Sequence, residues 1–326
     1  MLSLFRTRQT LFNFFLLFYA AALHLRTFFL PASEPLRVQG LFSYPLATML
    51  AEQPTLSFVL QILLLFAAGV LANDLVNKNR ITGTYNLFPG AFLILVASFL
   101  PEFIQFSGIH FVLILLLLTI RQVFGMYRVG KVSDYVVNIG LFIGVASLFY
   151  ASAAVFLVWA LFGINSMRSL YPKDVAALLT GFLLPYLFVG TWYFWNDNFD
   201  VFVAQQLEAA LGFSGWLEAI YPTLKIGWFA FLILVSLISY PYFSQRKTHA
   251  KGKKIDLLYG LMPVTGVAVF VQAEPGLSHL LLLSIPIGVI LAFIFGSIKP
   301  RWGEFFHLLL LVIGFLLQYR LFLFPA

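Results

Sequence analysis

Long apolar runs, separated by short polar or turn-rich breaks, make up most of the chain. A helix needs about 20 apolar residues to cross a hydrocarbon core of ~30 Å. Against that length the pattern predicts membrane segments over about 11–30, 56–73, 87–101, 109–125, 174–195, 223–243, 257–272, 278–296 and 305–324. The stretch from Tyr135 to Asn165 admits two readings. As one helix it would be ~46 Å long, well beyond the hydrocarbon thickness. As two arms, about 136–148 and 152–165, each reaches ~20 Å and suits a re-entrant hairpin or a thinned bilayer. Ser147, Tyr150 and Ser152 would then supply polar groups at the tip, with reversal expected between Phe149 and Ala153. Gly140 and Gly144 would let the first arm pack closely on a neighbour.

The sorting of charge favours the hairpin. With it, 16 of the 20 basic residues fall on one side, in the loops around 74–86, 121–135, 165–174, 244–256 and 297–304 and at the N-terminus. Only Arg26, Arg37, Lys225 and Arg320 fall on the other. A single span through 135–165 would move the Lys-rich 246–254 loop across the membrane and erase the bias. The positive-inside rule therefore predicts eleven membrane segments in an inner membrane, with the N-terminus cytoplasmic and the C-terminus periplasmic. Eight of the 13 acids fall outside on the same topology. The Arg6–Arg8 start followed by an apolar run resembles a signal peptide, but 11–30 is long for one and lacks a suitable cleavage site, so an uncleaved first helix is expected.

Composition agrees with this reading. Of 326 residues, 61% are hydrophobic and 10% charged, against about 25% charged in a soluble domain. The fold expected is all-α, one polytopic transmembrane domain over 1–326 with the lipid bilayer as its principal partner. With no cysteine, disulfides, thiol nucleophiles and Cys-ligated metals are excluded. The net charge of +7 is accounted for by membrane insertion, so no nucleic-acid partner is expected.

Nucleotide, hydrolase and zincin motifs are absent from the chain. His24, His110 and His279 would share one depth near the outer face, where three imidazoles could ligate a metal, but no pair has metal-ligand spacing on one helix, and interfacial histidines without partners are common. Gln61, Asn73, Asn138, Gln272 and Gln318 are expected to make interhelical hydrogen bonds. No acid or base falls at the centre of a predicted span, which argues against a proton-coupled carrier. The outward carboxylates carry the candidate chemistry. Glu34 follows the first segment, and Asp197 and Asp200 follow the 174–195 segment. A carboxylate at that surface can serve as general base or hold a metal against a phosphate. Arg26 and Arg37 bracket Glu34 and are placed to bind phosphate. The external segments 31–55 and 196–222 are expected to fold over a shared groove, the second as an amphipathic helix lying flat at the interface. No cofactor is identified.

The series Leu75-Val76-Asn77-Lys78, Leu87-Phe88-Pro89-Gly90, Ser98-Phe99-Leu100-Pro101-Glu102, Ile139-Gly140 through Tyr150, and Gly181-Phe182-Leu183-Leu184-Pro185 resembles a Bacteroidota family of polytopic inner-membrane proteins without established function. In layout the chain is also similar to polyprenyl-phosphate-sugar glycosyltransferases, whose first external loop begins with an acidic catalytic residue and contains interfacial helices. That resemblance implies a lipid-linked sugar substrate, chemistry on the outer face and Glu34 as the base, with Asp197 and Asp200 assisting. The alternative expected is a non-catalytic scaffold or transporter subunit of an envelope machine, with membrane-protein partners.

Overall fold

A computed structural model of the chain describes residues 2–6, 10–29, 40–51, 53–127, 129, 132–208, 224–244, 249–272 and 276–323. Glu34 and Arg37 lie outside these residues. The described residues are helical and include no strand. The principal helices are α1 (Phe14–Leu23), α2 (Pro54–Lys78), α3 (Phe88–Val96), α4 (Ile109–Gly125), α5 (Ser133–Phe149) and α6 (Phe156–Met167). They continue with α7 (Pro172–Trp195), α8 (Leu224–Ser244), α9 (His249–Phe270), α10 (Ser284–Ser297) and α11 (Pro300–Leu323). Among the described residues, five stretches are long and apolar enough to cross a membrane: Pro54–Lys78, Pro172–Trp195, Leu224–Phe243, Leu277–Ser297 and Pro300–Tyr319. Apolar helices of 10–17 residues make up much of the remainder.

The centre of the bundle is a short helix. All residues from 86 to 104 are buried, and α3 has nine of them. At 1.5 Å per residue it covers about 14 Å, half the hydrocarbon thickness. The 87–101 segment expected to span is thus a half-helix, which stops at Val96 and gives way to a 3₁₀ turn over Pro101–Phe103. Irregular backbone at this depth is tolerated only where protein surrounds it, and here α1, α2 and α10 pack on α3. At Gly288 of α10 a Cβ would stand 2.6 Å from the Cα of Leu93, so the α3–α10 contact requires glycine there. The approach to α10 is itself 3₁₀, over Leu277–Leu283, and all residues from 281 to 293 are buried.

The first predicted segment is also interrupted. Its α-helix ends at Leu23; the His24 N–H bonds to the carbonyls of both Ala20 and Ala21, and a short helical turn follows over Arg26–Phe29. In the 135–165 stretch α5 ends at Phe149, Tyr150 is extended, and a 3₁₀ turn over Ala151–Val155 leads into α6. Polar groups do sit at this break, and α5 packs along α7. A Cβ on Gly140 would overlap the Leu178 carbonyl, and one on Gly181 the Val137 carbonyl. Glycine on both helices lets the two backbones touch.

The two external segments meet at the C-terminus of α5 through residues other than those expected. Gln206 is buried; its Nε2 donates to Ser147 O at 2.8 Å and its Oε1 accepts from the Leu41 N–H at 3.0 Å. The Phe42 N–H donates to Leu148 O at 3.0 Å, and the Ser43 hydroxyl donates to Phe149 O. Three terminal carbonyls of α5, which have no partner inside the helix, are satisfied this way. Of the amphipathic helix expected over 196–222, residues 209–222 lie outside the described residues. Among the described residues of 196–222, Phe199–Val203 is α-helical, a π turn follows over Ala204–Glu208, and Phe202 and Gln206 point into the protein.

Candidate functional site

Breaking α3 at mid-bundle exposes its last carbonyls and those of the turn after it, and side chains from distant helices bond to them. Ser98 Oγ donates to Ile94 O at 2.7 Å. Gln318 of α11 donates to the Ser98 carbonyl and, at 3.3 Å, to Leu23 O. Gln61 of α2 donates to Phe103 O at 2.8 Å. Asn73 of α2 serves the other end of α3, accepting from the Gly90 N–H at 2.7 Å and donating to Asn13 Oδ1 at 3.0 Å. Gln61, Asn73 and Gln318, three of the five amides expected to join helices, thus close the ends of a half-helix as well.

His24 and His110 have hydrogen-bond partners. His24 Nε2 lies 2.9 Å from Ser98 Oγ. Since that hydroxyl already donates to Ile94, His24 carries its proton on Nε2. The Gln61 amide donates to His110 Nε2 at 3.1 Å, which places the His110 proton on Nδ1, 3.1 Å from Ser107 O. The Ser107 N–H, 3.3 Å from that protonated Nδ1, is then in contact without a hydrogen bond. Both tautomers follow from neighbouring donors and acceptors. Among the described residues no three His, Asp or Glu side chains are grouped as a metal site.

Where α3's broken end turns back, the chain places a buried carboxylate. Glu102 is 7% exposed and pairs with Lys225 of α8. Arg26 is 8% exposed, and its side chain lies within electrostatic reach of Glu102 and Tyr319. Among the described residues, two cations and one anion therefore share a largely buried cluster. Glu102 Oε2, Arg26 Nε, His24 Nδ1 and Gln318 Oε1 are buried and make no hydrogen bond to any described residue. Buried polar atoms are normally paired, so this cluster has both donors and acceptors to offer a ligand.

An apolar crevice of about 400 Å³ lies between α8, α10 and α11, lined by residues including Trp228, Leu232, Val235, Leu291, Leu310 and Ile313. Lys225, Trp228, Leu232 and Val235 recur at spacings of three and four, so the cation stands above the crevice on one face of α8. Trp228 also meets Phe99, ring centroids 5.7 Å apart, beside the break in α3.

The residues named from sequence are distributed unevenly. Arg26 belongs to the buried cluster. Asp197 and Asp200 are exposed at the far end of α7, Asp197 in a left-handed turn with φ of 54°. Neither forms an ion pair with a described residue, and the polar neighbours of Arg26 are Glu102 and Tyr319 instead. Sequence reasoning placed Glu102 and Lys225 among loop charges. The available signal was the setting of Glu102: a single charge after Pro101, inside an apolar run from Leu87 to Phe106. No protein-family model, no curated protein and no solved structure matches this chain.

Proposed function

We propose that this is a multi-pass inner-membrane protein of envelope biogenesis that acts on a lipid-linked sugar at its outer face. In this reading Glu102, Arg26 and Lys225 are the reacting site. The observation that carries the proposal is a buried carboxylate between two cations at the head of an apolar crevice. That combination suits an amphiphile: the lipid chain in the crevice below Lys225, its phosphate beside Lys225 and Arg26, and the reacting sugar at Glu102. Glu102 Oε2 takes the proton of the acceptor hydroxyl as that oxygen bonds to the sugar's anomeric carbon. The bond from that carbon to the phosphate oxygen breaks, and the lipid phosphate leaves with its charge held by the two cations. Glu34 and Arg37, a few residues after Arg26, are assigned to the acceptor side, and Asp197 and Asp200 to its approach.

A second reading, a transporter subunit or scaffold, is favoured by one observation. The two innermost helices, the half-length α3 and the longer α10, are both joined to 3₁₀ turns, and substrate sites in many transporters form at such discontinuous helices.

The test is envelope glycan composition in a deletion strain complemented with Glu102→Gln, Glu34→Gln or Asp197→Asn, at matched protein levels. Glu102→Gln keeps the shape and removes the base, so product should fall about 10²-fold or more. Wild-type glycans from Glu102→Gln would reject the catalytic reading in favour of the second.

A further inference from the structure

At the opposite end of α2 from the Glu102 cluster, the structure assigns a second site, a pocket for a phosphate group on the face predicted to be cytoplasmic. A cavity of about 380 Å³ is lined by Asn77, Arg80, Thr82, Thr84, Tyr85 and Lys251, with Gly83 at its turn. Two cations line it and no acid does. Asp74, on the same helix, is already engaged by Lys78 at 3.0 Å and Arg121 at 3.7 Å.

The wall of this cavity is fixed by local bonds. Asn77 donates to Asn86 O at 2.8 Å and accepts from the Asn86 N–H at 3.3 Å. Asn86 Nδ2 donates to Thr84 O at 3.2 Å, and the Thr82 hydroxyl donates to the same carbonyl at 3.0 Å. Lys254 is held away from the cavity mouth by Asn79 Oδ1 at 2.5 Å and by the faces of Phe124 and Tyr127. Among the described residues, Arg80 and Lys251 are thus the cations that line the cavity.

Arg80 itself is out of place by backbone criteria. It has φ of 47°, its N–H bonds to Asn77 O, and the next N–H, that of Ile81, bonds to Val76 O. This is the Schellman ending of a helix, whose left-handed position usually holds glycine. An arginine there accepts backbone strain and puts a guanidinium at the mouth of a polar cavity. A phosphate is the group that such a fork and an ammonium, with the Thr84 hydroxyl beside them, are suited to bind. Its source is either an anionic lipid headgroup of the adjacent leaflet or a soluble phosphate compound.

The experiment uses the full chain, purified in detergent and separately reconstituted in phosphatidylcholine nanodiscs. Inorganic pyrophosphate is titrated in the first case, and phosphatidic acid is included in the lipid in the second, with thermal unfolding as the readout. Arg80→Gly relieves the strained position, so without ligand it should melt at or above the parent temperature while losing the charge. The parent should show a saturable rise in melting temperature with at least one probe. Arg80→Gly and Lys251→Gln should each need about tenfold more of that probe, as expected when one charged hydrogen bond is lost. Lys299→Gln, at an exposed lysine outside the cavity, should respond like the parent. A response to pyrophosphate identifies a soluble source, and one confined to phosphatidic acid a lipid headgroup; both support the site. No saturable rise with either probe, or equal responses from the parent and both pocket variants, would overturn it.

Discussion

Replacing Lys225 by Met tests the buried ion pair apart from any catalysis. Two unit charges about 4 Å apart attract by about 4 kcal/mol at an effective dielectric of 20. The Lys225 side chain is 19% exposed and that of Glu102 4%, so solvent screens one partner only slightly. Arg26 stays close to the stranded carboxylate and offsets part of the loss. Removing one partner of a buried pair typically costs about 3–5 kcal/mol, and with Arg26 in place the lower end, about 3 kcal/mol, is expected for Lys225→Met. Glu102→Gln in that background removes the stranded charge and should recover about 2 kcal/mol, because an amide is far cheaper to bury than an unpaired carboxylate. The assay is a double-mutant cycle on the full chain, following unfolding in mixed micelles with increasing SDS. Additive single effects, with coupling below about 0.5 kcal/mol, would show that the two charges do not share a dry site.

Two further outcomes are expected. Gly181→Ala drives a Cβ into the Val137 carbonyl across the α5–α7 seam and should cost about 1–3 kcal/mol in the same assay, while Gly260→Ala, with nothing within 4 Å, should be neutral or stabilising by up to about 1 kcal/mol. Reporter fusions after Lys254 should read cytoplasm and those after Asp200 or Ala326 periplasm; a periplasmic signal after Lys254 would reject the eleven-segment topology.

What could be read from the sequence follows from short-range physics. Apolar run length and low charge specify a helical membrane protein, because a bilayer admits only backbones that satisfy their own hydrogen bonds. The glycines at 140 and 144 announced a close helix contact, and the amides within spans announced interhelical bonds. Run length alone could not reveal that 87–101 is a half-helix. An apolar run reads the same whether lipid or protein surrounds it, and only packing by α1, α2 and α10 buries this one on all sides.

The same limit governs the site. Glu102, Arg26 and Lys225 are separated by 76 and 123 positions, and no local spacing links them. Each looks like an ordinary charge near the end of a predicted span. They become a site because α3 stops halfway, its turn carries Glu102 inward, and α8 and the turn after α1 arrive at the same depth with cations. Glu34, Asp197 and Asp200 were more conspicuous because outward carboxylates at helix ends are visible in a linear pattern. Whether a carboxylate is dry and paired is a property of the neighbours it meets in three dimensions, and long-range packing alone supplies them.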